Sequence, residues 1–235
     1  PNAPPKNTVI LQSVTEDLLK IYRRSLFRAE CITDDGHIPR FRAINFIQIA
    51  YDIFLAPKHF FKRLNTKFLR LSNDSHTYPQ IEIQDENITD VDELDFVLVR
   101  IPEVNYGKNI LSHFPTRDEI KAIVAFNSLV ISWSRKQNET VLNYTGEAKR
   151  WDLPINVAFD NTLICFPKGY KYQWESLPGD CGSLLIALDN ACNSKIMGVH
   201  FGYDSAQSKG LSAILTRECL QKYVDQLKPV KIEVT

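Results

Sequence analysis

No uninterrupted apolar run among the 235 residues approaches the roughly 20 that a membrane-spanning helix needs. The opening Pro1-Asn2-Ala3-Pro4-Pro5-Lys6 lacks the apolar stretch of a secretory signal. It also lacks an initiator methionine, as expected of a chain excised from a longer precursor or trimmed. Charge of one sign is not in excess. Lys plus Arg and Asp plus Glu number 28 each, so no net field draws the whole chain onto nucleic acid or an anionic membrane. The five cysteines (Cys31, Cys165, Cys181, Cys192, Cys219) include no CxxC pair, and their number is odd. That disfavours both a disulfide framework and a zinc site, and reduced thiols in a cytosolic setting are expected. Internal repeats and low-complexity segments are also missing. What is present is an ordinary globular composition, 44% hydrophobic and 24% charged, in a chain long enough for one large domain or two small ones.

The local pattern changes twice. Ser13-Val14-Thr15-Glu16 reads as a capping box. The spacing of Leu18, Leu19, Tyr22 and Leu26 predicts a helix with one apolar face, ending near Arg28. Short strands follow at 41–49, 53–56, 67–71, 80–83 and 94–101, separated by turn-prone pieces such as Asp34-Asp35-Gly36. The less regular stretch 102–117, with Gly107 and Pro115, reads as a connection. Strands resume at 122–133, 140–144, 155–159, 162–166, 171–174, 183–188, 196–201 and 210–215. A final amphipathic helix spans about 217–227, with Cys219, Leu220, Tyr223 and Leu227 on one face. Many short strands, helices only at the ends and one central break predict an all-β fold. The expected form is two antiparallel six-stranded barrels, with short N- and C-terminal helices. The first unit is placed at 1–110 and the second at 111–235.

Chemistry concentrates at Gly179-Asp180-Cys181-Gly182-Ser183, just before the apolar run Leu184-Leu185-Ile186-Ala187-Leu188. Glycines on both sides of a nucleophile let the backbone turn tightly and let a substrate carbonyl approach main-chain N–H groups. The N–H groups of Gly179 and Cys181, with Asp180 between them, would form an oxyanion hole. The competing reading makes Cys181 a small apolar filler at a strand start, like Cys165 and Cys192.

Three pieces decide between these readings: Gly179-Asp180-Cys181-Gly182, then Gly198-Val199-His200-Phe201-Gly202, then Gly210-Leu211-Ser212-Ala213-Ile214-Leu215. In order and separation they resemble the picornavirus-type 3C proteases, chymotrypsin-fold enzymes with a cysteine nucleophile. The second glycine of the middle piece comes one residue earlier than in that family. The resemblance covers Tyr172 to Leu220; over residues 1–50 only an opening helix corresponds. It implies that His200 lies at the base of an S1 pocket selecting Gln, or Glu, before the scissile bond. A neutral imidazole N–H suits an amide acceptor. Ser176, five residues before the cysteine, and Tyr172, nine before it, match the family's further pocket residues, which donate to the substrate carbonyl and hold the histidine neutral.

A thiol with a pKa near roughly 8.5 needs a partner to become a thiolate at neutral pH. By the same resemblance, His59 in Ala56-Pro57-Lys58-His59 matches a strand ending in Pro-x-His and is the candidate base, with His113 as the alternative. His37 and His76 lie in polar turns. Asp95, heading Leu94-Asp95-Phe96-Val97-Leu98-Val99, matches the family's acid, while Asp90, Asp92 and Glu93 crowd just upstream as alternatives. The order His, Asp, Cys is that of the chymotrypsin group. Many members use Glu as the acid, so an Asp points to a divergent picorna-like virus.

The expectation is therefore a viral cysteine endopeptidase needing no metal or organic cofactor. Its partners would be polyprotein junction peptides and, further, host proteins, in the host cell cytoplasm. The segment Asn105-Tyr106-Gly107-Lys108-Asn109-Ile110 lacks the arginine of the family's RNA-binding motif, which argues against RNA as a partner. The rival from another class is a catalytically inactive double-barrel module that binds RNA or protein. A papain-like hydrolase is disfavoured because His200, the only histidine after Cys181, lies too near it.

Overall fold

The computed structural model describes residues 14–32, 43–62, 68–91, 94–104, 107–134, 136–159 and 162–227. Helix α1 (Glu16–Ser25) is capped by Thr15, whose Oγ1 accepts from Leu18 N at 3.3 Å. Glu16 and Asp17 in its first turn and Arg23 and Arg24 in its last complement the helix dipole. The expected cap, Ser13, lies outside the described residues. The helix also ends three residues before Arg28, because Leu26 turns extended and opens a strand.

That strand, β1 (Leu26–Cys31), is followed by β2 (Ala43–Ala50), β3 (Ile53–Pro57), the short helix α2 (Lys58–Lys62), β4 (Phe68–Ser72), β5 (Thr77–Glu82), β6 (Ile88–Asp90) and β7 (Phe96–Arg100). They form one antiparallel sheet in the order β5-β4-β1-β2-β3-β7-β6. Every residue of β2 and β3 is buried, as expected of central strands, whereas the next-to-edge strand β4 alternates between buried and half-buried. The sheet curls into a half-barrel of seven strands against the expected six; β1 and the three-residue β6 are the members that the sequence pattern did not assign.

The connection carries a 3₁₀ turn at Leu111–His113 and then helix α3 (Arg117–Ala122). Here Thr116 Oγ1 accepts from Glu119 N while the Glu119 carboxylate accepts from Thr116 N, a reciprocal capping box. Beyond it lie β8 (Ala125–Ser134), β9 (Glu139–Trp151), the hairpin β10 (Ile155–Phe159) and β11 (Thr162–Phe166), β12 (Gly169–Tyr172), β13 (Leu184–Ala187), β14 (Ile196–Asp204), β15 (Lys209–Ala213) and helix α4 (Arg217–Leu227). Six of these strands close into a barrel in the order β12-β15-β14-β13-β8-β9. Strand β9 runs seven residues past the expected end at Tyr144. It continues through Gly146, whose φ of +66° accompanies a register shift opposite Ser128 and Leu129.

Each sheet encloses its own apolar cluster, Phe46, Phe54 and Val97 in the first and Phe126, Tyr170 and Leu185 in the second. A third and larger cluster joins them. It contains Tyr22, Ile47 and Phe96 from the first half together with Leu129, Leu184 and Phe201 from the second.

Candidate active site

Two neighbouring strands of the half-barrel bring a histidine and a carboxylate together. In the β3–β7 ladder Pro57 stands opposite Phe96, and Lys58 N–H donates to Asp95 O at 2.8 Å. The chain leaves β3 at Pro57 and turns into α2, so that His59 swings back over the head of β7. Its Nδ1 hydrogen-bonds Asp95 Oδ2, and both side chains are buried. A neutral imidazole that donates Nδ1–H to a carboxylate presents Nε2 as an acceptor, the tautomer a general base requires. The neighbouring Asp90 is exposed and pairs with Lys58 instead. Asp92 and Glu93 lie outside the described residues, as does His37. His113 is engaged elsewhere: its Nδ1 meets Tyr22 Oη at 2.7 Å, tying α1 to the connection. Burial, and next the Arg217 charge, hold its pKa below the ordinary value.

Cys181 lies in the turn between β12 and β13. It is half-buried against the apolar cluster of the first sheet, which includes Phe60 next to His59. Its Sγ–H donates to Phe201 O at 3.2 Å. The turn is built on two left-handed glycines, Gly179 at φ +100° and Gly182 at φ +87°. At Gly182 space is as restrictive as the backbone angle, since a Cβ would stand 2.0 Å from Asn45 O. Three amides of the turn donate to backbone carbonyls: Asp180 N to Leu177 O, Gly182 N to His200 O and Ser183 N to Asp180 O.

His200 sits on β14 with 1% of its surface exposed. Its Nδ1 is 2.7 Å from Tyr172 Oη. Burial lowers its pKa to about 3, against a smaller opposing effect of a hydrogen bond to the Leu211 backbone. The ring is therefore neutral throughout the physiological range. Burial also raises Tyr172 well above the ordinary phenol value, so it stays a phenol. Ser176 lies half-buried in the segment entering the turn and makes no hydrogen bond to His200 among the described residues.

Three contributors were not singled out in the sequence. Trp174 packs its ring edge-on to His200, with centroids 4.7 Å apart, and stacks on Tyr172. An aromatic placed midway between Tyr172 and Ser176 was the available signal. Asn45 and Arg28, from β2 and β1 of the other sheet, reach the Cys181 turn: Arg28 Nη1 and Asn45 Nδ2 each donate to Gly179 O at 3.3 Å. For Asn45 the only hint was a polar residue at the centre of an apolar strand. All five cysteines are free thiols.

The sequence pattern of the Tungro spherical virus-type peptidases matches residues 16–230. The genome polyprotein of human hepatitis A virus genotype IIIB (isolate HAJ85-1) is 25% identical over 154 residues, which are 62% of this chain and 7% of that polyprotein. The chain thus spans a small fraction of the curated relatives it matches. Among solved structures, a catalytically inactive tobacco etch virus protease complexed with substrate aligns with a TM-score of 0.60 at 13% identity, covering 88% of this chain and 85% of that one. The HRV-C 3C protein with rupintrivir aligns with a TM-score of 0.54 at 15% identity, covering 85% and 98%. These structural likenesses establish the chymotrypsin-like double-barrel architecture.

Proposed function

Because this chain belongs to the Tungro spherical virus-type peptidase family, we propose that it is a cysteine endopeptidase that processes a viral polyprotein after Gln, or Glu, at P1. The observation that carries the reading is the buried His59–Asp95 hydrogen bond, next in sequence to Phe60, a member of the apolar cluster that Cys181 packs against. Asp95 orients His59 and stabilises its imidazolium. His59 Nε2 takes the Sγ proton, and the thiolate adds to the carbonyl carbon after P1. The N–H groups of Gly179 and Cys181 receive the oxyanion. As the tetrahedral adduct collapses, His59 returns its proton to the leaving amine and a thioester remains. Water, deprotonated by His59, then releases the acid and restores the thiol.

Selection at P1 rests on the neutral His200. In this reading Nδ1 accepts from Tyr172 Oη, 2.7 Å away, which leaves the ring proton on Nε2, a donor matched to the side-chain carbonyl of Gln. Tyr172 and Trp174 hold that ring in place, and Ser176 lines the approach as a second donor to the same carbonyl. The substrates are junctions within the polyprotein, with host proteins as further targets, in the host cell cytoplasm. Incubating the wild type and Cys181→Ala with peptides containing Gln-Gly or Gln-Ser junctions tests the reading. Cleavage by the wild type alone is expected. Equal cleavage by both, or none by the wild type, overturns it.

A further inference from the structure

The nucleophile turn belongs to the second barrel, yet its peptide planes are held from the first. Asn45, fully buried on β2, directs Nδ2 at four acceptors of the turn: Gly179 O (3.3 Å), Asp180 O (3.2 Å), Cys181 O (3.3 Å) and Ser183 Oγ (3.2 Å). Two amide hydrogens are shared among them. Its backbone N–H also donates to Cys181 O at 3.0 Å. All four groups accept, so the Nδ2 end must face the turn. Asn45 Oδ1 is buried with no hydrogen-bond partner among the described residues. A buried orphan acceptor costs folding free energy, so a residue kept with one is kept for its donor end.

The geometry constrains chemistry through the trans peptide. No peptide bond among the described residues is cis, so Cys181 N–H points opposite to Asp180 O, its partner across the same plane. Three donors converge on that oxygen: Asn45 Nδ2, Ser183 N at 3.1 Å and Ser183 Oγ at 2.6 Å. The preceding plane is pinned likewise, with Gly179 O on Asn45 and Arg28, and Asp180 N on Leu177 O. Release of these carbonyls would let either peptide rotate, and a carbonyl oxygen swung forward would meet the oxyanion with repulsion instead of a hydrogen bond.

We propose that Asn45 is a positioning residue for the oxyanion hole, holding the carbonyls of Gly179 and Asp180 back so that the Cys181 N–H faces the reacting carbonyl. The proposal rests on the endopeptidase reading given above. Asn45→Asp keeps the size but replaces the donor with a carboxylate facing three carbonyls. It is expected to lower kcat by about 10²–10³-fold, the loss typical of one oxyanion donor, with KM changed less than about twofold. Affinity for a Gln-peptide aldehyde, whose oxygen enters the hole after thiol addition, should fall by a similar factor. Alkylation of Cys181 by iodoacetamide forms no oxyanion and should keep its wild-type rate. An unchanged kcat, or alkylation falling in step with kcat, overturns the assignment. Should Asn45→Asp not fold, Ser183→Ala removes one donor to the same oxygen. It should give a smaller loss of the same kcat-only kind, and a wild-type kcat in that variant counts against the proposal. A wild type inert on Gln peptides defeats the endopeptidase reading, not this one. Asn45 is then judged by the amide 1H–15N resonances of Asp180 and Cys181, which must move in Asn45→Ala for the proposal to stand.

Discussion

His200, the residue proposed to select P1, also bears on stability. The folded protein keeps the ring neutral down to about pH 3, whereas an unfolded chain binds a proton near pH 6.5. Below that upper value the unfolded state holds more protons, so acid favours it. The stability contributed by the neutral ring is complete above about pH 6.5 and is lost as pH falls toward 3, at about 1.4 kcal/mol per pH unit. Urea unfolding of the wild type and of His200→Gln at pH 7 and pH 4.5 measures this. The wild type should lose more stability between the two pH values than the variant, which has no ring to titrate. The Tyr172–His200 contact was legible in the sequence because the proposed pocket motif sets short, fixed separations along the chain. Asn45 and Arg28 were not. Asn45 looked like a polar residue in an apolar strand, which says that it needs a partner but not that the partner lies 136 positions away at Cys181. Trp174 was passed over because an aromatic beside a strand end is ordinarily core.

Among elements, β2 and β8, which carry runs of consecutive buried positions, and α4, with its apolar face, were read within three residues of their observed bounds. The larger errors fall at β9, whose bulge at Gly146 hid its continuation, and where a motif was short. Ser13-Val14-Thr15-Glu16 has the capping-box spacing, but Thr15 caps α1. The reciprocal box actually formed is Thr116-Arg117-Asp118-Glu119, hidden behind Pro115 in a helix of six residues that the pattern left unassigned. Glu119 does more there than cap. Its carboxylate also accepts from Ser194 N at 3.2 Å and Ser194 Oγ at 2.9 Å, which ties α3 to the loop before β14. These contacts, together with the Thr116 cap, outweigh its desolvation and hold its pKa below the ordinary carboxylate value. Thr116→Ala should therefore cost about 0.5–2 kcal/mol in urea unfolding, with the peptidase site unaltered. A variant as stable as the wild type would show that the Glu119 network holds α3 without the cap.

For the molecule as a whole, the two-unit architecture was evident from strand density and the central break. The openness of the first sheet was not, because ladder closure depends on which edges meet. Contacts between the halves were invisible for the same reason as Asn45. One is a polar clasp in which Asp74, on the β4–β5 turn, accepts from both Thr140 N and Thr140 Oγ1 at 2.9 Å. Arg23 from α1 donates to Thr140 O at 2.8 Å. Thr140 is almost fully buried, so Asp74→Ala strands two donors and should lower stability by about 1–3 kcal/mol. Chemical denaturation would measure it, and a loss within error of zero would mean that solvent reaches Thr140 once the carboxylate is gone.

The apolar cluster that runs through both halves sets how the protein comes apart. Neither barrel can shed Leu184 or Phe96 from that cluster without opening the other. Heat is then expected to find one cooperative unit where the chain trace suggests two, and a single calorimetric transition, with equal calorimetric and van't Hoff enthalpies, is the result that checks it. A weakness in one half is thereby felt as early unfolding of both.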